Sequence, residues 1–232
     1  MKTILTVLTG SRLHGLNRPD SDYDWRGVFM HPLIEVLSPF TKIKNTSWIE
    51  GKEDNTSFEL ASFAKQAVHG NCTILEILFS DKVKKSTPVA DEMRDNRYKF
   101  MDAEKFTLAS KGYAHNQINK FYEQEDKGIY GQNRTSKFAV AFLRTMWQCE
   151  NFLLTGEFKC SLVESDLFPL MRKIKPLSAE DIKPFRGEIM AAMDKMYDRV
   201  SKAQSESAFM DMKPDIPWIE SFLERSYVNQ TL

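Results

Sequence analysis

Ile4-Leu5-Thr6-Val7-Leu8 is a short, partly β-branched apolar run that gives way to Gly10-Ser11, and it predicts a buried strand ending in a turn. The stretch Asp22 to Met30 is polar at its start and apolar at its end, which predicts a second strand. Two shorter strands are predicted around Thr46–Ile49 and from Asn55 to about Phe58, with Gly51 marking the turn between them. From Glu59 the period changes. Leu60, Phe63, Ala64, Ala67 and Val68 fall at helical spacing, the apolar stripe of a helix laid on a sheet, and Gly70-Asn71 supplies its stop. Thr73 to Phe79 is a short apolar segment that fits a helix or a buried strand, the helix being the favoured reading. Further along, Phe106, Ala109, Tyr113 and Phe121 predict one long helix, and Phe138, Phe142, Thr145, Cys149 and Phe152 predict another that ends before Gly156. Ile189, Met193, Met196 and Val200 mark a third, and Pro217 after Asp215 opens a last one through Leu223.

Strands before about Asp81 and helices after it predict an α+β fold. The lysine-rich stretch Lys82 to Pro88 is the expected boundary, dividing the chain into a core of residues 1–88 and a helical lobe of residues 89–232. The aromatic and methionine stripes of that lobe read as packing surface.

With 42% hydrophobic and 12% aromatic residues, the composition is that of a folded protein rather than a disordered one. Thirty-two basic residues cancel thirty-two acidic ones, so any contact with nucleic acid or nucleotide has to come from a local patch. The Ile4–Leu8 run is too short for a signal-peptide core, and later apolar runs are broken by charge, so a cytoplasmic address without membrane contact is expected. Cys72, Cys149 and Cys160 are odd in number and far apart, which excludes a disulfide framework or a Cys-x-x-Cys zinc site and leaves them as reduced core residues. The four histidines show no His-Glu-x-x-His spacing.

The chemistry concentrates between Gly10 and Gly27. A strand that runs into Gly10-Ser11 and then a helix leaves backbone N–H groups unpaired at the turn, where a phosphate is well received. Gly10 has no Cβ to obstruct it, Ser11 adds a hydroxyl, and Arg12 lies close as a charge partner. In extended chain Asp22 and Asp24 share one side, while Tyr23 and Trp25 point to the other and are expected in the core. Two carboxylates held so close call for a hard divalent cation, and magnesium takes one or two carboxylates together with substrate phosphates. Arg26 is a charge in an otherwise apolar strand and is expected to pair with a site carboxylate or to reach a nucleotide phosphate.

Gly10-Ser11 followed by Ser21-Asp22-x-Asp24 resembles the active-site signature of the DNA-polymerase-β-like nucleotidyltransferase superfamily. With His14-Gly15 and Arg26-Gly27-Val28 added, the segment is similar to a predicted nucleotidyltransferase family associated with RNA repair gene clusters. Phe58-Glu59-Leu60-x-x-Phe63, Gly70-Asn71-x-Thr73-x-Leu75-Glu76, Gly112-Tyr113-Ala114-x-x-Gln117, and Lys137-x-Ala139 with Arg144 extend the likeness over roughly residues 1–175. Two positions depart from it: Cys72 stands where the family has a proline, and Ala141 where it commonly carries a histidine.

The resemblance implies a nucleotidyltransferase-type mixed sheet with flanking helices. It also implies transfer of a nucleoside monophosphate from a triphosphate such as ATP to an acceptor hydroxyl, for instance that of an RNA end, with release of pyrophosphate. Asp22 and Asp24 would then bind magnesium, or manganese in its place. A third carboxylate, which matching back from Phe58-Glu59-Leu60 places at Asp54 with Glu53, Glu50 and Glu59 nearby, would complete the second metal site and draw off the acceptor's proton. Gly10, Ser11, Arg12 and Arg26 would contact the nucleotide. Lys137 and Arg144, seven apart on one helix face, would add phosphate contacts or form a solvated pair. The alternative from another class is a nucleotide-binding regulatory module that keeps the fold without turnover. A helical interaction protein, the third reading, would bind no triphosphate.

Overall fold

The computed structural model describes residues 1–49, 55–127 and 134–229. They group into two compact units, residues 1–102 with 212–232 and residues 103–211.

The first unit is built on a five-stranded mixed sheet, as the sequence pattern and the resemblance together predict. Its strands are β1 (Lys2–Thr9), β2 (Asp24–Met30), β3 (Thr46–Trp48), β4 (Thr56–Glu59) and β5 (Val83–Lys85), in the spatial order β3-β4-β2-β1-β5. β1 pairs antiparallel with both β2 and β5, β4 runs parallel to β2, and β3 closes the other edge antiparallel to β4. β1 is buried from Ile4 to Thr9, which is why that run reads as a central strand. Three short helices, α1 (Gly10–Leu13), α2 (Leu33–Leu37) and then α3 (Leu60–Val68), follow β1, β2 and β4. The stripe read from Leu60 onward is buried at each of its positions. α4 (Cys72–Phe79) confirms the helical reading of that apolar segment, and Asn71 caps it by accepting from the N–H groups of Thr73 and Ile74.

Sequence and structure part company at Lys82–Pro88. Three of its residues form β5 on the edge of the sheet, and Pro88 opens helix α5 (Pro88–Asp95) in the same unit. An edge strand of lysines has no apolar alternation to reveal it. The chain also returns: α10 (Ile216–Val228) belongs to the sheet-bearing unit. It is capped by Asp215, which also takes the Lys99 ammonium at 2.9 Å, and its Trp218 stacks on Phe222 and meets Phe100 edge-on. The Tyr227 hydroxyl donates to the buried carboxylate of Glu59, at the end of β4.

The second unit consists of α6 (Ala103–Lys127), α7 (Arg134–Thr155), α8 (Phe168–Ile174) and α9 (Arg186–Glu206). Phe106 packs edge-on against both Phe152 and Phe158, the packing role expected of those stripes. α7 ends at Gly156, whose φ of +74° suits only glycine and whose Cα lies under the ring of Phe209. Arg199 of α9 forks onto Glu150 of α7 at 2.6 and 2.7 Å and reaches Asp166 at 2.6 Å. All three cysteines are free and buried, as expected. Among the described residues no helix is long and apolar enough to cross a membrane.

Candidate active site

At the end of β1 the chain must turn sharply, and Gly10 makes the turn at φ +64°. The turn brings its Cα against the carboxylate of Asp24, so closely that a Cβ there would lie 2.0 Å from Oδ2. Thr9 and Asp24 are paired across β1 and β2, and the Thr9 hydroxyl donates to the Asp24 carbonyl at 3.0 Å. On the other side of β2, the Trp25 N–H donates to the side-chain carbonyl of Asn55 at 3.0 Å, tying the start of β2 to the residue before β4. The glycine turn and the second aspartate are thus one packed feature, although the sequence separates them by thirteen intervening residues.

The first aspartate is held differently. β2 begins at Asp24 rather than Asp22, so Asp22 stands outside the strand in an exposed turn. That turn is fixed by Arg12 of α1: its Nη2 donates to the Ser21 carbonyl at 2.7 Å, and its Nε to Ser21 and Asp22 carbonyls at 3.2 and 3.3 Å. Ser21 closes the same turn by accepting from the Arg18 N–H at 2.8 Å. The expectation that Tyr23 and Trp25 lie in the core is wrong. Tyr23 is 57% exposed and Trp25 half-buried; their rings run nearly parallel, with the Arg12 guanidinium 3.9 Å over the Tyr23 ring. A strand that starts two residues later has no core at that level for them to enter.

α1 is anchored from below. Leu13 and Leu16 are buried, and His14 Nε2 meets Glu76 of α4 at 2.9 Å with both side chains almost wholly enclosed. Nothing in the sequence spacing pairs residues so far apart, so His14 read as a helix residue packed beside Gly15 or as a substrate contact, and Glu76 only as part of the family likeness.

Gly10, Ser11, Arg12, Asp22, Asp24 and Arg26 therefore lie within one small region of the first unit, Ser11 half-buried in α1 and Arg26 half-buried in β2 opposite Val7. Asp54, with its neighbours Glu53 and Glu50, lies outside the described residues. Glu59 is occupied by Tyr227 and by the Ser62 N–H, which it caps at 3.0 Å. Lys137 and Arg144 belong to the second unit, on α7, where Lys137 is exposed and Arg144 donates to Gln148 at 3.2 Å. Among the described residues no three His, Cys, Asp or Glu side chains converge to hold a metal ion. What the described part offers a cation is two hard carboxylates on one short segment beside the Gly10 turn, a donor set that fits magnesium completed by substrate oxygens.

The sequence signature of the RNA repair pathway DNA polymerase beta family matches residues 1–173. An uncharacterized protein of Methanocaldococcus jannaschii is 31% identical over 160 residues, which is 67% of this chain and 62% of that protein. An uncharacterized 38.9 kDa protein of enterobacteria phage T4, from the nrdC–mobD intergenic region, is 32% identical over 133 residues, or 52% of this chain and 39% of that one. The chain thus spans less than two thirds of the length of either relative. No solved structure matches it.

Proposed function

Because this chain belongs to the RNA repair pathway DNA polymerase beta family, we propose that it is a nucleotidyltransferase that moves a nucleoside monophosphate from a triphosphate to an acceptor hydroxyl, with an RNA end as the acceptor. The observation that carries this reading is the packing of Gly10 on Asp24. It brings the glycine turn and a carboxylate into contact, which supports phosphoryl transfer because its catalysis is mostly positioning and charge neutralisation.

In this reading Gly10 and Ser11 receive the β- and γ-phosphates, and Arg26 faces their charge. Arg12 acts mainly as a positioning residue, since its Nε and Nη2 are spent on the carbonyls of the Ser21–Asp22 turn. Asp22, Asp24 and Asp54 would hold magnesium, with manganese as a substitute, and the metal supplies neutralisation of the charge that builds on the transferring and leaving oxygens. Asp54 takes the proton from the acceptor hydroxyl, and pyrophosphate leaves.

The test is incubation with each labelled triphosphate, magnesium and a mixed RNA pool. Labelled RNA together with pyrophosphate is the expected result. Triphosphate bound without product in any pool would replace this reading with the regulatory module.

A further inference from the structure

One face of the sheet carries an unusual row. Residues opposite each other on paired strands share a face, so the register aligns Lys85, Thr6, Gly27, Ser57 and Ser47 across all five strands with no large apolar side chain among them. Over this row lies a groove of about 470 Å³ lined by Thr3, Thr6, Ile49, Lys84 and Lys85, within the size range that holds a small ligand.

Lys84 links the groove to the start of β2. Trp25 stands two residues before Gly27, on the same face; the Lys84 ammonium is 4.9 Å from its ring, and the Tyr23 ring lies 6.2 Å further, inclined by 13°. Edge lysines often serve only to discourage strand pairing. Here strict alternation would send Lys84 and Lys85 to opposite faces, yet both line this groove. Asp81 is the only acidic residue between Ser80 and Ser86, against Lys82, Lys84 and Lys85, so this edge of the sheet is lysine-rich although the chain as a whole is neutral.

We propose that this face, from the β5 lysines to the Tyr23–Trp25 rings, binds single-stranded nucleic acid. Phosphates would meet the lysines, and bases would stack against the exposed part of the rings, beside the Arg12 guanidinium that lies over Tyr23, which only an unpaired strand permits. Tyr23 sits between Asp22 and Asp24 in sequence, so a strand on this track ends at the edge of β2 whose other face carries the Asp24 carboxylate. The inference rests on the nucleotidyltransferase reading only for the strand's use as acceptor.

Binding is therefore measured without triphosphate and without metal, by fluorescence anisotropy of short labelled RNA and DNA oligonucleotides of one sequence, single-stranded and duplex. The single strands are expected to bind better than the duplex, with RNA above DNA if the 2′-hydroxyl is read and equal if only backbone and bases are. Lys84→Glu with Lys85→Glu should weaken binding at least about ten-fold and lower the salt slope by roughly 0.7 for each phosphate that is no longer neutralised. Tyr23→Ala should cost about ten-fold with little change in that slope. No binding to any oligonucleotide, a preference for duplex, or affinities unmoved by both the lysine and the tyrosine variants would overturn the proposal. Binding without transfer would sink the enzymatic reading alone, and transfer that is indifferent to these variants would sink this one alone.

Discussion

Replacing Gly10 by alanine probes the join between the phosphate turn and Asp24 directly. Two costs are added. At φ +64° a residue with a Cβ is strained by about 1–2 kcal/mol. The new methyl group would lie 2.0 Å from Asp24 Oδ2 and 2.8 Å from its Cγ, so either the carboxylate or the turn must move, an overpacking cost of about 1–3 kcal/mol. Asp24 is only half-buried and can yield, so the sum should fall near the lower end, about 2–3 kcal/mol. Denaturant unfolding should show a lower midpoint with an unchanged slope. Turnover should fall by about a hundred-fold, the usual penalty for displacing a catalytic group by an ångström. Gly112→Ala is the internal control. It lies in α6 with nothing within 4 Å of its added Cβ, and the change should stabilise by about 0.5–1 kcal/mol. If Gly10→Ala unfolds at the wild-type midpoint, or loses stability without losing turnover, the coupling of turn and carboxylate is not what the packing implies.

Tyr227→Phe should cost about 1–2 kcal/mol, because Glu59 loses a buried donor; thermal unfolding measures it. Burial first, and then the bond to Glu59, push the Tyr227 hydroxyl well above its ordinary pKa. Its contribution is therefore complete below the unfolded value of about 10 and drains away as pH rises beyond it, so above that pH the wild type should lose stability more steeply than Tyr227→Phe. In the second unit, Arg199→Met strands the Glu150 carboxylate and should destabilise by about 3 kcal/mol, while Arg199→Lys, which cannot fork onto both oxygens, should fall between it and wild type in a chemical melt.

How far the sequence reaches is set by the range of the interactions concerned. β1, α3 and α7 were legible because each buries one continuous stripe, so their periods are local properties: Leu60, Phe63, Ala64, Ala67 and Val68 are all enclosed. β5 was hidden because an edge strand of exposed Val83, Lys84 and Lys85 has no buried side to betray it. The return of α10 to the sheet depends on Lys99–Asp215, Arg225–Glu92 and Tyr227–Glu59, pairings across more than a hundred residues that no periodicity encodes. At the candidate site, the residue types and spacing of Gly10-Ser11 and Asp22-x-Asp24 were visible. The start of β2 at Asp24 was not, since it depends on how Arg12 grips the Ser21–Asp22 carbonyls and on the anchor Asn55 gives Trp25. The error over Tyr23 follows from that one misplaced boundary, because alternation assigns sides only within a strand.

If Asp22 and Asp24 act on a metal-bound triphosphate, pyrophosphate release must depend on both, which is measured on the wild-type chain, Asp22→Asn and Asp24→Asn, each first matched for unfolding midpoint, with and without magnesium. Release should require magnesium or manganese and drop by about a hundred-fold or more in either variant. Undiminished release from folded Asp24→Asn, or release that persists in a chelator, would contradict that role.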